Sequence, residues 1–259
     1  MTPIPSLVLP GDVEMPLLGF GTWQMRGREA YDAVRLALDL GYRHLDTATL
    51  YRNHDEVGRA IRDSGVPREH VFVTTKLHPD DAGREEVTLR ASLRELGLDH
   101  VDLWLIHWPP GRTAGQQTWK EFVRLQEEGL TRAIGVSNYS VEQIDEVTEA
   151  TGVAPAVNQI RWSPWQYDAT VVAGHLERHV VLEGYSPLRA SRLDDQAVVE
   201  IADALAVTPA QVILRWHVDH GFPVIPKSAN PERIAANLDI AGFSLTEAQL
   251  ARLDALGQG

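Results

Sequence analysis

Short apolar runs rich in β-branched residues alternate along the chain with longer amphipathic stretches of ten or more residues. The short runs are typical of strands, and apolar residues at every third or fourth position predict helices. The run VDLWLIH is apolar almost throughout, as expected for a parallel strand buried on both faces. The pattern predicts strands at 17–21, 43–46, 71–76, 101–107, 132–137, 156–159, 180–184 and 224–226.

The amphipathic stretches predict the helices that connect these strands. Within the stretch 84–96 the apolar face is expected to comprise Val87, Leu89, Leu93 and Leu96. Gly97 then predicts the end of that helix, because glycine readily adopts the left-handed conformation that follows a last turn. The predicted helices are 28–40, 54–64, 84–96, 116–128, 140–150, 169–178, 195–205, 208–219 and 231–238.

Eight strand–helix units in 259 residues match the size of a TIM barrel, an α/β fold of eight parallel strands inside eight helices. A doubly wound open sheet is the alternative. It is disfavoured because the early Gly19-Phe20-Gly21 run lacks the third glycine of a dinucleotide-binding turn. The segment 6–17, with Pro-Gly-Asp between two apolar runs, predicts an N-terminal β-hairpin that caps the bottom of the barrel.

Composition and charge narrow the class of protein. The chain contains no cysteine, which excludes disulfides, thiolate metal sites and cysteine nucleophiles. A net charge of −12 argues against binding to nucleic acid or to an anionic membrane. We find no signal peptide, no membrane-spanning run and no exposed apolar stripe, and we therefore expect a cytoplasmic monomer. Only three of the 24 basic residues are lysines, at positions 76, 120 and 227.

Polar or ionisable residues stand at the carboxyl ends of consecutive predicted strands, where TIM-barrel enzymes carry their active sites. Asp46, Lys76, His107 and Ser137 recur at nearly equal intervals, and each follows an apolar run. One such residue would be unremarkable at a strand end, but the regular series predicts a shared site. Its members are Asp46, Lys76, His107, Ser137, Asn138, Gln159, Tyr185, Lys227 and Ser228.

Four residues suggest the chemistry of this site. Asp46 and Lys76, on neighbouring strands, are expected to form a buried ion pair. Tyr51 follows in the next loop, where the ammonium is expected to lower the phenol pKa from its ordinary value near 10. A phenol beside an ammonium, with His107 to orient a carbonyl oxygen, predicts carbonyl reduction with Tyr51 as the acid. The hydride must then come from a cofactor, since no side chain donates one.

Several motifs resemble those of the aldo-keto reductase family, in order from end to end. They are GYRHLDTATLY at 41–51, TTK at 74–76, LIHWP at 105–109, RAIGVSNY at 132–139 and IPKSANPERIAANLDI at 225–240. The chain is most similar to the bacterial branch of 2,5-diketo-D-gluconate reductases. The resemblance implies one barrel domain over 1–259, with Asp46, Tyr51, Lys76 and His107 as the catalytic residues.

The family resemblance also implies NADPH (NADP+) as the cofactor. Ser137, Asn138 and Gln159 would then hold the nicotinamide carboxamide, Tyr185 would stack on its ring, and Ser186 and Leu188 would contact the pyrophosphate. Lys227 and Ser228 would bind the 2′-phosphate, and Arg233 and Asn237 would contact the adenine. The complete set of implied cofactor contacts is Thr22, Trp23, Asp46, Ser137, Asn138, Gln159, Tyr185, Ser186, Leu188, Lys227, Ser228, Ala229, Arg233 and Asn237.

The loops that build the substrate pocket in relatives are short here, at 109–115, at 189–193 and at the C-terminus. We therefore expect an open pocket that accepts varied or bulky small-molecule carbonyls, lined by Trp23, Leu50, His78 and Trp108. The sequence also departs from relatives at Arg52 and His54, which we expect at the pocket rim or in solvent.

Two other functions remain open at this point. One is a catalytically silent protein that senses NADPH on the same scaffold. The other is a barrel enzyme in which Lys76 forms a Schiff base with its substrate. His175 and His179 have the spacing of metal ligands on a helix, but no third ligand is evident, so no metal is predicted.

Overall fold

Eight parallel strands form the centre of the computed structural model, which describes residues 4–111 and 114–258. Each strand pairs with its neighbour in the chain, from β3 at one edge to β10 at the other. These strands are β3 (Phe20–Gly21), β4 (His44–Asp46), β5 (Phe72–Leu77), β6 (Val101–Ile106), β7 (Thr131–Ser137), β8 (Val157–Arg161), β9 (Val181–Tyr185) and β10 (Val224–Ile225).

The two edges of this sheet meet and close the barrel. Gly19 N donates to Val224 O at 2.9 Å, and Val224 N donates to Leu17 O at 2.8 Å. The predicted TIM barrel is therefore confirmed, and the doubly wound alternative is wrong. The first barrel strand, β3, is shorter than the predicted range 17–21. Only Phe20–Gly21 forms a regular ladder, and Leu18 forms a single bridge to Val224.

Helices follow the barrel strands, and the predicted helices are present to within one residue at each end. They are α1 (Gly27–Leu40), α2 (His54–Ser64), α3 (Glu85–Leu96), α4 (Gln116–Glu127), α5 (Val141–Thr151), α6 (Ala169–Glu177), α7 (Gln196–Leu205), α8 (Pro209–Asp219) and α9 (Pro231–Leu238). A further helix, α10 (Glu247–Asp254), was not among the predicted ranges. Thr246 and Gln249 form a capping box at its start, a sequence signal that would have located it.

The predicted N-terminal hairpin is present as β1 (Ser6–Leu9) and β2 (Val13–Pro16). Gly11 and Asp12 in its turn both have positive φ, which suits the right-handed twist of paired strands. Leu9 and Met15 are buried against residues of the barrel, among them Phe72. The hairpin thus covers the bottom of the barrel, as predicted, and leaves the carboxyl ends of the strands for a site.

One residue of the predicted core face of α3 is misplaced. Val87 is 70% exposed, whereas Leu89, Leu93 and Leu96 are buried. Position 87 lies two residues before Leu89, which is about 200° around a helix and therefore on the opposite face. The periodicity from Leu89 onward was correct, and its extension back to Val87 was wrong.

Helix α2 packs closely against the end of α3 at Gly58. A Cβ added at Gly58 would lie 2.0 Å from the backbone oxygen of Leu96 and 2.5 Å from its carbonyl carbon. Backbone atoms cannot yield as a flexible side chain does, so the two helices would have to separate.

We therefore expect Gly58→Ala to lower the free energy of unfolding by about 2–3 kcal/mol, although alanine favours an isolated helix by about 0.5–1 kcal/mol. Urea unfolding would measure the change. Gly242→Ala is the matched control, because nothing lies within 4 Å of the added atom. Equal stability of the two variants would contradict the proposed close packing at Gly58.

Within the described ranges, no single helix has the length and apolar character needed to cross a membrane. In the same ranges, α7 and α8 are long and apolar enough only when they are counted as one segment, and the chain bends by 90° between them.

Candidate active site

A cavity of about 350 Å³ opens at the carboxyl ends of the barrel strands. Parallel register places Asp46 beside Thr74 and Lys76 beside Leu105, so the ends of β4, β5 and β6 meet at one level. The cavity is lined by Gly21, Trp23, Asp46, Leu50, Tyr51, His107, Trp108, Ser137, Asn138, Gln159, Tyr185, Ser186, Ile225 and Lys227. The structure therefore brings together three of the four residues expected to be catalytic, and the fourth, Lys76, lies buried beside them.

Asp46 and Lys76 form the expected buried ion pair. The Lys76 Nζ lies 2.6 Å from Oδ1 and 2.7 Å from Oδ2 of Asp46, and it also donates to the backbone oxygen of Thr47 at 3.0 Å. Burial by itself would lower the pKa of Lys76. The negative charge of Asp46 and the neighbouring Tyr51 outweigh burial and raise this pKa above its ordinary value. Lys76 is thus a fixed ammonium at neutral pH.

Tyr51 reaches the ion pair from the 3-10 turn Thr49–Tyr51, which follows β4. Its hydroxyl lies 3.4 Å from the Lys76 Nζ. Burial raises the pKa of Tyr51 to about 12, and the opposing effect of Lys76 is smaller. Lys76 does act to lower this pKa, but the expected net decrease is wrong, because burial disfavours a phenolate by more than the ammonium favours it. The phenol is a proton donor throughout the neutral range.

His107 follows β6 directly and faces the same cavity. Burial and the charge of Lys76 lower the pKa of His107 to about 2, so its imidazole is neutral. Its ring stacks on Trp108 with centroids 3.8 Å apart and meets the Tyr51 ring edge-on at 5.8 Å. Its Nδ1 is buried and has no hydrogen-bond partner in the described part of the chain. Because His107 lines the cavity beside Tyr51 and its ring is neutral, it can hydrogen-bond a polar atom there without adding charge.

Polar side chains line the wall opposite the ion pair. Asn138 Nδ2 donates to the backbone oxygen of His107 at 3.1 Å and to Ser137 Oγ at 3.0 Å. The Tyr185 hydroxyl donates to Asn138 Oδ1 at 2.9 Å. These bonds fix the Asn138 amide between two strand ends, and the half-buried Tyr185 ring stands beside it.

Sequence reasoning missed Glu183, which lies in β9 two residues before Tyr185. Its side chain is fully buried, and its Oε2 accepts a hydrogen bond of 2.9 Å from Gln159 Nε2. The same Nε2 donates to Asp46 Oδ2 at 2.9 Å. A single acidic residue inside the apolar run VLEGY was the signal that could have found it.

Comparison with known proteins identifies the family. The model of the aldo/keto reductase family matches residues 17–258. The chain belongs to this family. It is 47% identical over 260 residues to an aldo-keto reductase of Mycolicibacterium vanbaalenii, which spans 99% of this chain and 93% of that protein. It is 40% identical over 249 residues to the methylglyoxal reductase DkgA of Escherichia coli, which spans 95% of this chain and 90% of that protein.

Solved structures of other aldo/keto reductases superpose on this one. The crystal structure from Brucella melitensis has a TM-score of 0.96 and 39% identity, covering 99% of both chains. The Bombyx mori aldo-keto reductase in complex with NADP has a TM-score of 0.92 and 31% identity, covering 99% of this chain and 94% of that chain. The resemblance and the barrel expected from the sequence are both confirmed.

The residues of this aldo/keto reductase expected to contact a cofactor fall into two groups. Trp23, Asp46, Ser137, Asn138, Gln159, Tyr185, Ser186 and Lys227 line the cavity. Thr22, Leu188, Ser228, Ala229, Arg233 and Asn237 do not line it. Thr22 is buried, and its hydroxyl donates to the backbone oxygen of Asp46 at 2.9 Å, so this side chain supports β4 in the present structure.

Four members of the second group, Ser228, Ala229, Arg233 and Asn237, lie just before α9 or within it. Asn230 caps this helix by accepting a hydrogen bond from the backbone N of Arg233 at 2.9 Å. The Arg233 Nε also lies 3.4 Å from Ser228 Oγ. Lys227 is exposed and has no ion pair within the described residues. A cation, a hydroxyl and a helix N-terminus thus lie together, as an anionic group requires.

Three of the four residues expected to contact substrate line the cavity: Trp23, Leu50 and Trp108, each about two-fifths exposed. The fourth, His78, is not among the lining residues, and its contact with substrate stays a prediction. Its Nδ1 instead accepts a hydrogen bond from Asp80 N at 3.2 Å at the start of a 3-10 turn, and its ring centroid lies 6.5 Å from that of Trp108.

The prediction that His54 lies at the pocket rim or in solvent is wrong. His54 is buried, and its two ring nitrogens lie 2.9 Å from Thr75 Oγ1 and 3.1 Å from Glu95 Oε2. These bonds join α2 to β5 and α3. Arg52 is exposed, as expected.

Backbone conformation is unusual at this end of the barrel. Four of the seven described non-glycine residues with positive φ lie at its mouth: Gln24 at 61°, Arg52 at 54°, Asn138 at 63° and Ser186 at 54°. Gln24, Asn138 and Ser186 follow the ends of β3, β7 and β9, and Arg52 follows the 3-10 turn after β4. Across residues 4–111 and 114–258, no group of three or more histidine or acidic side chains is placed to hold a metal ion.

Proposed function

We propose that this protein reduces aldehydes and ketones to alcohols with NADPH as the hydride donor. The observation that carries the proposal is the Tyr51 hydroxyl, which lies 3.4 Å from a fixed ammonium and opens into a cavity beside a neutral imidazole. We further propose that 1–259 is one barrel domain and acts as a monomer. A cytoplasmic location stays a prediction from the sequence.

The donor set around the cavity suits NADPH at both of its ends. Ser137, Asn138 and Gln159 bring a hydroxyl and two amides to the cavity, which Tyr185 also lines, and we assign them to the carboxamide. Lys227, Ser228 and Arg233 would hold the 2′-phosphate at the start of α9. The neighbouring Bombyx mori structure is in complex with NADP, which supports this assignment. When bound, the cofactor supplies the hydride for the carbonyl carbon.

The chain's own residues supply the proton and the orientation. Tyr51 donates its hydroxyl proton to the carbonyl oxygen while that oxygen gains negative charge, and His107 hydrogen-bonds the same oxygen. The Lys76 ammonium stabilises the tyrosinate left behind, and Asp46 holds the ammonium in place. Solvent then returns one proton to Tyr51, so that each turnover consumes one hydride and one proton.

The substrates we propose are small carbonyl compounds of varied shape, including bulky ones. The cavity of about 350 Å³ is walled by apolar side chains at its rim, namely Trp23, Leu50 and Trp108. The relative from Escherichia coli is named a methylglyoxal reductase, which places α-oxoaldehydes among the first compounds to test. NADPH oxidation over aldehydes, α-ketoesters, diketones, quinones and keto-sugars would test this breadth, and activity confined to one compound would contradict it.

We expect Lys227→Met to weaken NADPH binding by about 10- to 100-fold, because a charge-assisted bond to the 2′-phosphate is worth about 1.5–3 kcal/mol. The dissociation constant for NADH, which lacks that phosphate, is expected to stay within about twofold of wild type. Fluorescence titration with NADPH and with NADH would measure the two dissociation constants. Lys120→Met, which removes an exposed lysine from α4, is the control. Equal losses for NADPH and NADH would contradict the assignment of Lys227.

Two alternatives are less well supported. A silent sensor of NADPH would not need an intact pair of Asp46 and Lys76 beside a phenol, and NADPH binding without turnover of any carbonyl would favour it. A Schiff base requires a free amine, whereas the Lys76 Nζ is buried and donates to Asp46 and Thr47. Borohydride trapping of a carbonyl compound on Lys76 without cofactor would favour this second alternative.

A further inference from the structure

The buried carboxyl group of Glu183 has no role in the chemistry proposed above. It stands in β9 between the buried residues Leu182 and Gly184, and none of its side chain is exposed. Burying a carboxyl group costs free energy unless hydrogen bonds replace those lost to water. Glu183 Oε2 has such a bond, from Gln159 Nε2 at 2.9 Å, whereas Oε1 has no partner in the described structure. Such a group in the barrel interior calls for an explanation.

The bond from Gln159 determines how its amide is oriented. A side-chain amide has two N–H donors and one carbonyl acceptor. Both donors of Gln159 are used, one by Asp46 Oδ2 and one by Glu183 Oε2, each at 2.9 Å. Turning the amide over would place its oxygen against the Asp46 carboxylate and would remove the N–H that Glu183 Oε2 now accepts. Because Gln159 also lines the cavity, its carbonyl oxygen is left for a hydrogen-bond donor inside the cavity.

The groups around Glu183 explain why this carboxyl does not disturb the ion pair. From β4 it faces Asp46 and His44, whose Nε2 lies 3.7 Å from Glu183 Oε1, and from β5 it faces Lys76. Burial and the charge of Asp46 raise the pKa of Glu183 well above its ordinary value. Burial lowers the pKa of His44 to about 4, so this ring is neutral. A protonated Glu183 accepts from Gln159 without competing with Asp46 for the ammonium.

We propose that Glu183 is a positioning residue, which fixes the Gln159 amide so that its oxygen accepts a hydrogen bond from the carboxamide N–H of a nicotinamide cofactor. This inference rests on the function proposed above. Glu183 acts through Gln159, and Asp46 is the second point that holds the same amide. Loss of the Glu183 acceptor leaves one N–H of a buried amide without a partner and allows the amide to turn.

The test compares two cofactors that differ only at the carboxamide. NADPH carries the N–H donors, and its 3-acetylpyridine analogue carries an acetyl group without them. Dissociation constants are measured by fluorescence titration without substrate. We expect wild type to bind NADPH about tenfold more tightly than the analogue, as one hydrogen bond predicts. Glu183→Gln keeps an acceptor for Gln159 and should keep this preference, whereas Glu183→Leu should reduce it to within about twofold.

The outcomes separate the two proposals. Equal binding of both cofactors by wild type overturns the contact between Gln159 and the carboxamide. A preference that persists in Glu183→Leu, or is lost in Glu183→Gln, overturns the role of Glu183. Glu85→Leu is the control, since it removes another buried carboxyl, one that accepts from Thr118 Oγ1 at 2.8 Å outside the cavity. If Glu85→Leu also loses the preference, the effect is general destabilisation and the proposal is wrong.

Thermal unfolding of each variant shows whether it is folded before binding is measured. If Glu183→Leu does not fold, Glu183→Met takes its place, because methionine matches the length of glutamate and adapts to irregular space. The same loss of preference is expected, and a retained preference overturns the inference.

Discussion

Tyr51→Phe is expected to lower kcat for carbonyl reduction by at least about 100-fold and by up to about 10⁴-fold, the usual range for loss of a positioned general acid. The ring still fills its place against His107, so the cavity keeps its shape. Only the proton donor is removed. The dissociation constant for NADPH is expected to change by less than about twofold, because the phenol is not among the groups assigned to hold the cofactor. Single-turnover NADPH oxidation with an aldehyde would measure the loss, and fluorescence titration would measure binding.

The matched control for Tyr51→Phe is Tyr139→Phe. Tyr139 is another buried tyrosine, and its hydroxyl donates to the backbone oxygen of Ala114 at 2.8 Å, away from the cavity lining. This control is expected to lose about 1 kcal/mol of stability, as for one hydrogen bond, and to keep its activity. A Tyr51→Phe enzyme with near-normal kcat would refute the assignment of Tyr51 as the acid.

Lys76→Met is expected to lower the free energy of unfolding by about 3–5 kcal/mol, because it leaves the buried Asp46 carboxylate without its counter-charge. It is also expected to lower kcat by at least about 100-fold, since no cation then stabilises the tyrosinate. Urea unfolding and single-turnover kinetics would measure the two effects separately. The double variant with Asp46→Asn should recover part of the stability without recovering activity, because both charges are then absent.

Lys120→Met provides the comparison for Lys76→Met, since this exposed lysine is expected to contribute within about 0.5 kcal/mol. If Lys76→Met were as stable as this control, the ion pair would contribute nothing to folding. Recovery of activity in the double variant would rule out the ammonium as the group that stabilises the tyrosinate.

Much of the site was predictable because strand ends in a parallel barrel converge on one face. That rule predicts from the sequence alone that Asp46, Lys76 and His107 lie together. The polar residues that follow the apolar runs mark these strand ends in the sequence. Because the barrel closes between β3 and β10, the strand ends surround one cavity, as predicted.

Other properties depend on what surrounds a residue and were not visible in the sequence. The shift of the Tyr51 pKa reverses in sign because burial exceeds the effect of an ammonium already paired with Asp46. His54 is buried because α2 packs against α3 there, and a polar residue after a catalytic loop gives no sign of that contact. Glu183 was overlooked because a single acidic residue in a strand does not by itself indicate a function. Its hydrogen bond from Gln159 is visible only in the structure.

The four left-handed residues at the barrel mouth have a consequence for engineering heat resistance. Each non-glycine residue in that conformation stores about 1–3 kcal/mol of strain, and here it is concentrated where the cofactor and substrate are proposed to bind. Glycine at Gln24, Arg52, Asn138 or Ser186 would relieve the strain but loosen the loops that carry the site. Stabilising substitutions are therefore better placed around the hairpin at the opposite end, where we expect the melting temperature to rise without loss of turnover.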